Sequence, residues 1–155
     1  MQRINYHQNA WMIDVIGTDA GAPASLPTAQ QQLIREAHWI AAPRRLQPAL
    51  NAWLNRPKPL IDSDDPRLLV HALQDLDATA PGVVLASGDP LWFGIGRMLG
   101  DRLGTARLRF HPAPTSLQLA FARIGRSWQD ATWVSLHGRE PQLGCLVQAC
   151  LFQHW

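Results

Sequence analysis

Val83-Val84-Leu85-Ala86-Ser87-Gly88-Asp89-Pro90-Leu91-Trp92-Phe93-Gly94-Ile95-Gly96 is the stretch that decides how this chain of 155 residues folds. Its first four residues carry no polar side chain, which suits a parallel strand covered on both faces. Ser87-Gly88-Asp89-Pro90 then breaks the strand. Phe93 to Leu103 reads as a helix with Gly104 as its stop signal. A buried strand therefore delivers the chain to Gly88, where no side chain obstructs a ligand approaching the backbone. Asp89 can accept hydrogen bonds from an ammonium or a hydroxyl, and Pro90 fixes the turn. The string is not a Walker loop, since no Gly-Lys-Ser/Thr follows. Its glycines at 88, 94 and 96 also miss the dinucleotide fingerprint. Taken alone, it is a strand-to-helix turn of any α/β protein.

Outward from this turn the signals alternate. Met12 to Ile16 reads as a short buried strand stopped by Gly17, followed by a loop of small residues and proline up to Ser25. Thr28 and Gln31 have the capping-box spacing after Pro27, and Leu33, Ile34, Ala37 and Ile40 give the helix an apolar stripe that Pro43 ends. Leu60-Ile61 is a weak strand. Leu68, Leu69, Ala72, Leu73 and Leu76 form a helical stripe just after Pro66. Leu108 to Phe110 is a strand cut by His111-Pro112-Ala113-Pro114. Ser116 to Ile124 is helical, and residues 132–136 are again a strand. Strand alternating with helix at this rhythm predicts an α/β fold with a mostly parallel sheet. Ligands of such sheets sit at the carboxyl ends of the strands, where the loops at Gly17, Ser87 and His111 all lie.

The composition, 46% hydrophobic and 17% charged, supplies a core and argues against disorder. The net charge is only +2, and the arginines are scattered rather than striped, so no nucleic-acid partner is expected. No apolar run is long enough to span a membrane and the N-terminus lacks signal-peptide features, so a cytoplasmic protein is expected. Cys145 and Cys150, with His137 and His154 nearby, match no zinc spacing, and no metal is expected. The seven tryptophans are scattered and read as packing residues.

Several of these segments together resemble the tetrapyrrole methylase family. Leu85 to Gly96 is similar to its glycine-aspartate-proline loop, and Gly17 with the following residues to its first glycine-rich turn. His111 to Ser116, continuing through Gly125, resembles its third motif. Trp128-Gln129-Asp130-Ala131 and Val134-Ser135-Leu136-His137-Gly138-Arg139 resemble one branch, the precorrin-6Y C5,15-methyltransferases in the subunit called CbiE. The first turn, Thr18-Asp19-Ala20-Gly21-Ala22, is poorer in glycine than the family's usual form.

The resemblance implies an S-adenosyl-L-methionine-dependent methylation at C5 of a precorrin macrocycle in cobalamin biosynthesis. It implies cofactor contacts at Gly17, Ser87, Gly88, Asp89, Trp92, Thr115 and Ser116. His137 and Asp19 are candidates for a base that removes a proton after transfer; a packing role for the first and a turn-forming role for the second are the structural alternatives. Arg139 is the candidate clamp for a substrate carboxylate, with a surface role as its alternative. A CbiT-type domain or subunit is the implied partner. The expected organisation is an extension over 1–11, an α/β lobe over 12–112 and the start of a second lobe over 113–155, hinged at Pro112-Ala113-Pro114. Three elements cannot close a second sheet, so the chain reads as incomplete and prone to self-association through the exposed apolar surface. An inactive fragment, or a module that only binds a macrocycle or partner, is the competing expectation.

Overall fold

The computed structural model describes residues 12–76 and 80–131. The strand expected over 132–136 and the extension over 1–11 lie outside these residues. Of these, the residues up to Thr115 form one compact unit and those from Ser116 belong to a second.

The first unit is an α/β layered structure around five parallel strands. These are β1 (Ile13–Thr18), β2 (Trp39–Ala42), β3 (Leu60–Asp62), β4 (Gly82–Ser87) and β5 (Leu108–His111), in spatial order β3-β2-β4-β1-β5. β1 is buried at all six positions and β4 at five of six, as expected for strands covered on both faces. Side chains alternate across the sheet and fill two clusters. Ile16, Ile40, Val83 and Leu85 pack with Ile34 of α1 (Thr28–Glu36) and Leu50 of α2 (Gln47–Trp53). Ile13, Val15, Ala41 and Val84 pack on the other face with Leu69 and Leu73 of α3 (Pro66–Asp75) and Leu99 of α4 (Gly96–Leu103). Each fully buried aliphatic side chain contributes roughly 1.5–3 kcal/mol.

Local chemistry sets most of the boundaries. Asp65 caps α3 by accepting hydrogen bonds from the backbone N–H groups of Arg67 at 2.8 Å and Leu68 at 3.3 Å, with Pro66 at the first helical position. Gly104, at φ 82°, ends α4.

Four expectations need correction. The first helix does not reach Ile40: it ends at Glu36, and Ala37 turns extended. Trp39–Ala42 instead pairs with both β3 and β4, so tertiary pairing overrides a helical spacing. Ile34 and Ile40 share one cluster although they stand on different elements, which is why the periodicity misleads. The capping box does not form, since no side chain caps α1. Gln31 Nε2 donates instead to the carbonyls of Ala24 at 3.1 Å and Leu26 at 2.8 Å, closing the preceding loop. The strand at the start runs through Gly17 to Thr18. Finally, α4 begins at Gly96 rather than Phe93. Phe93 takes φ 49°, and Gly96 N–H donates to the Pro90 carbonyl at 2.8 Å, folding residues 90–96 into a tight loop.

α5 (Ser116–Ile124) belongs to the second unit. Among the described residues no helix is long and apolar enough to cross a membrane.

Candidate functional site

β1 and β4 lie side by side, with Thr18 opposite Ser87 at their carboxyl ends. From β1 the chain crosses to α1 on one face of the sheet; from β4 it crosses to α4 on the other. Loops leaving adjacent parallel strands toward opposite faces open a crevice between them, the place where open α/β sheets take ligands.

The crevice is drawn tight. Gly88 N–H donates to the Thr18 carbonyl at 2.8 Å, and the Thr18 hydroxyl donates to the Ala86 carbonyl at 2.8 Å. A Cβ at Gly17 would stand 2.5 Å from the Gly88 carbonyl oxygen and 2.7 Å from Ala113 Cβ, so only glycine fits where the three loops meet. Gly88 has φ 67°, the left-handed conformation glycine adopts without penalty. The nearest atom to a Cβ there is the Pro114 oxygen at 3.9 Å. Gly17 is thus buried against Gly88 and Ala113, while Gly88 leaves the space at its own Cβ position open.

Polar groups surround it. The Asp89 carboxylate accepts from Leu91 N–H at 2.8 Å, turning its loop back on itself. Ser87 is exposed, and its hydroxyl accepts a hydrogen bond from Arg45, which follows β2. Thr115 is buried. Trp92 stands partly exposed on the loop after Asp89, edge-on to Phe93 with ring centroids 5.1 Å apart. The structure therefore brings Gly17, Ser87, Gly88 and Asp89 to one rim, with Thr115 at the end of the 112–115 segment. Ser116 opens α5 in the second unit. His137 and Arg139 lie outside the described residues.

Asp19 is engaged within its own loop. Its Oδ1 accepts from the Ser25 hydroxyl at 2.5 Å and from Gly21 N–H at 2.9 Å. The Ser25 hydrogen bond holds this carboxyl below the usual carboxylate range, which weakens it as a base.

One cluster was not visible in the sequence. Asp14, inside the apolar β1 and only 5% exposed, accepts from Arg109 Nε at 2.6 Å and from its terminal nitrogen at 2.9 Å. It also bonds His111 Nε2 at 2.6 Å. Because an ionised carboxylate only accepts, His111 Nε2 carries the proton. Burial pushes the Asp14 carboxyl up, but the hydrogen bonds from Arg109 and His111 bring it below its ordinary value. The Arg109 guanidinium is raised in turn by its bond to Asp14. In the sequence Arg109 is one of the scattered arginines. The only signal was a lone carboxylate in an apolar strand, and its partners emerge once β1 and β5 are known to be neighbours.

The sequence model of the family described as Tetrapyrrole (Corrin/Porphyrin) Methylases matches residues 12–146. A precorrin-6Y C(5,15)-methyltransferase [decarboxylating] of a Sinorhizobium species is 55% identical over 64 residues, 41% of this chain and 16% of that protein. A cobalt-precorrin-7 C(5)-methyltransferase of Salmonella typhimurium is 42% identical over 57 residues, 37% of this chain and 28% of that protein. The matched stretches thus span well under a third of these relatives. Among solved structures, the methyltransferase CobJ superposes with a TM-score of 0.68 at 21% identity, covering 89% of this chain and 61% of that one. The precorrin-6Y methylase of Archaeoglobus fulgidus gives 0.55 at 22% identity, covering 75% and 59%. At these identities the structures establish the fold.

Proposed function

The chain belongs to the tetrapyrrole methylase family, and on that premise we propose that the rim at Gly17, Ser87, Gly88 and Asp89 binds S-adenosyl-L-methionine for methylation of a precorrin macrocycle at C5, in cobalamin biosynthesis. The observation that carries the reading is the glycine surface at the β1–β4 switch point. Gly17 lets the two loops close on each other, and at Gly88 nothing lies nearer than 3.9 Å to the Cβ position, so a ligand there meets backbone. Asp89 suits an ammonium group and the Ser87 hydroxyl a carboxylate or hydroxyl, so the donor set fits a zwitterionic amino-acid moiety.

When bound, the cofactor supplies a methyl group already activated as an electrophile. The chain's part is orientation, which can lower the barrier by roughly 7–11 kcal/mol. Asp89 and Gly88 fix one end of the ligand, Arg45 holds the Ser87 hydroxyl in place, and Trp92 lines the approach. Thr115 and Ser116 complete the contacts within the reading. Asp19 serves its loop, so a base, where one is needed, falls to His137. Arg139 would clamp a substrate carboxylate. The names of the two relatives matched in sequence support the C5 position. The wider proposal includes the lobe division at 112/113, a CbiT-type partner, self-association and a cytoplasmic setting.

Calorimetric titration with S-adenosylhomocysteine tests the reading. Wild type binds, and Asp89→Ala weakens binding roughly ten- to a hundredfold, as expected for loss of a charge-assisted hydrogen bond. A folded wild type that binds nothing, or an Asp89→Ala variant with unchanged affinity, would sink it.

A further inference from the structure

The segment between His111 and Thr115 reaches the rim from β5, an edge strand of the sheet, which is four residues long and among the described residues pairs with β1 alone. Two of its three residues are Pro112 and Pro114. Their fixed φ makes the segment stiff, and neither has an N–H with which to anchor itself. Its position is therefore set largely by where β5 ends. His111 is that end. Its ring is mostly shielded, with 21% of the side chain exposed, and bonds Asp14 on the neighbouring strand at 2.6 Å. One residue beyond the first proline, Ala113 comes to Gly17: its Cβ and N would lie 2.7 and 2.9 Å from a Cβ there. Pro114 turns its carbonyl toward Gly88.

We infer that His111 is a positioning residue for the rim: its bond to Asp14 fixes the end of β5 and, through the stiff Pro112-Ala113-Pro114 segment, seats Ala113 and Pro114 against Gly17 and Gly88. As a device for cofactor binding this rests on the functional reading above; as a tether of the rim it stands on geometry alone. Asp14 keeps its two bonds from Arg109 when His111 is changed, so the sheet itself does not depend on the tether. The glutamine side chain can place an N–H donor near the position of His111 Nε2, whereas leucine cannot.

The experiment compares the full-length wild type, His111→Leu and His111→Gln by amide hydrogen exchange in NMR and by titration with S-adenosylhomocysteine. His111→Leu speeds exchange at Gly88, Ala113 and Thr115 about five- to tenfold while Val15, Val84 and Leu108 keep their protection, and it weakens the ligand about tenfold. His111→Gln restores both. Exchange that rises as much along Leu108 to Phe110 as at the rim, or that glutamine fails to restore, would make His111 an ordinary staple of the edge strand and overturn the inference. Unchanged rim exchange in His111→Leu would also overturn it. A wild type that binds no S-adenosylhomocysteine refutes the cofactor reading, and the exchange pattern then decides the tether by itself.

Discussion

Gly17 and Gly88 meet backbone to backbone: a Cβ on the first would stand 2.5 Å from the carbonyl oxygen of the second, closer than any real Cβ contact. The approach joins the ends of β1 and β4, and Ala113 closes it from the third side. Gly17→Ala therefore forces backbone to move, since no flexible side chain is there to give way. The expected loss is about 1–3 kcal/mol of stability, together with loss of S-adenosylhomocysteine binding. Thermal unfolding and titration of the variant check both; wild-type values for each would show that the loops stand farther apart.

Asp14→Asn removes the negative charge that faces Arg109 and His111 and sets an NH2 donor where Oδ2 accepts from Arg109. At neutral pH the expected cost is about 2 kcal/mol, in the range of hydrogen bonds to charged groups. The folded-state carboxyl lies below its ordinary value, so its contribution is complete above that value and is lost as pH falls through the lower, folded one. The gap between wild type and variant should therefore narrow as pH falls below the ordinary carboxylate range. Urea titrations across that range read the gap, and one that widened in acid would refute the pairing.

Gly82 lies under the indole of Trp39, where a Cβ would fall 2.0 Å from the ring. Gly82→Ala should therefore cost about 3 kcal/mol and alter the near-ultraviolet circular dichroism as the indole is displaced. Trp39→Leu removes the obstruction, so the double variant should be markedly less destabilised than the two single effects added. Additive effects would mean that the ring does not sit over the glycine.

Arg45 is exposed and donates to the Ser87 hydroxyl at the rim. Arg45→Ala should change stability by no more than about 0.5 kcal/mol, as surface substitutions do. If the rim holds the cofactor as proposed, affinity for S-adenosylhomocysteine nevertheless falls severalfold. A variant with full affinity would remove Arg45 from the site.

What could be read in advance follows from range. β4 was legible because its apolar run is continuous and ends at Gly88, β1 because its apolar residues, interrupted by Asp14 alone, end near Gly17, and α3 because its stripe follows a proline. β2 was not, because Ile40 continues a helical spacing and only pairing with two strands draws Trp39–Ala42 out straight. α2 was missed because its seven residues give too short a stripe, with Leu50 as its buried residue. The rim glycines were legible as turn residues, but their mutual contact was not, since it depends on which strands are neighbours. The Asp14 cluster was hidden for the same reason: its three members are unremarkable until β5 is laid beside β1.

The strand order also dictates how this molecule must be assembled. β1 is buried along its whole length, yet its neighbours are the strands that begin at Gly82 and Leu108, while β2 and β3 pair elsewhere. During synthesis this fully buried strand thus emerges before its neighbours and waits, unpaired, until residues 19–87 have followed. Pairing at such sequence separation is slow and leaves strand edges open to other chains. The rim inherits that schedule: it is among the last parts of the unit to exist, and anything that delays β4 or β5 leaves β1 exposed before any ligand site has formed.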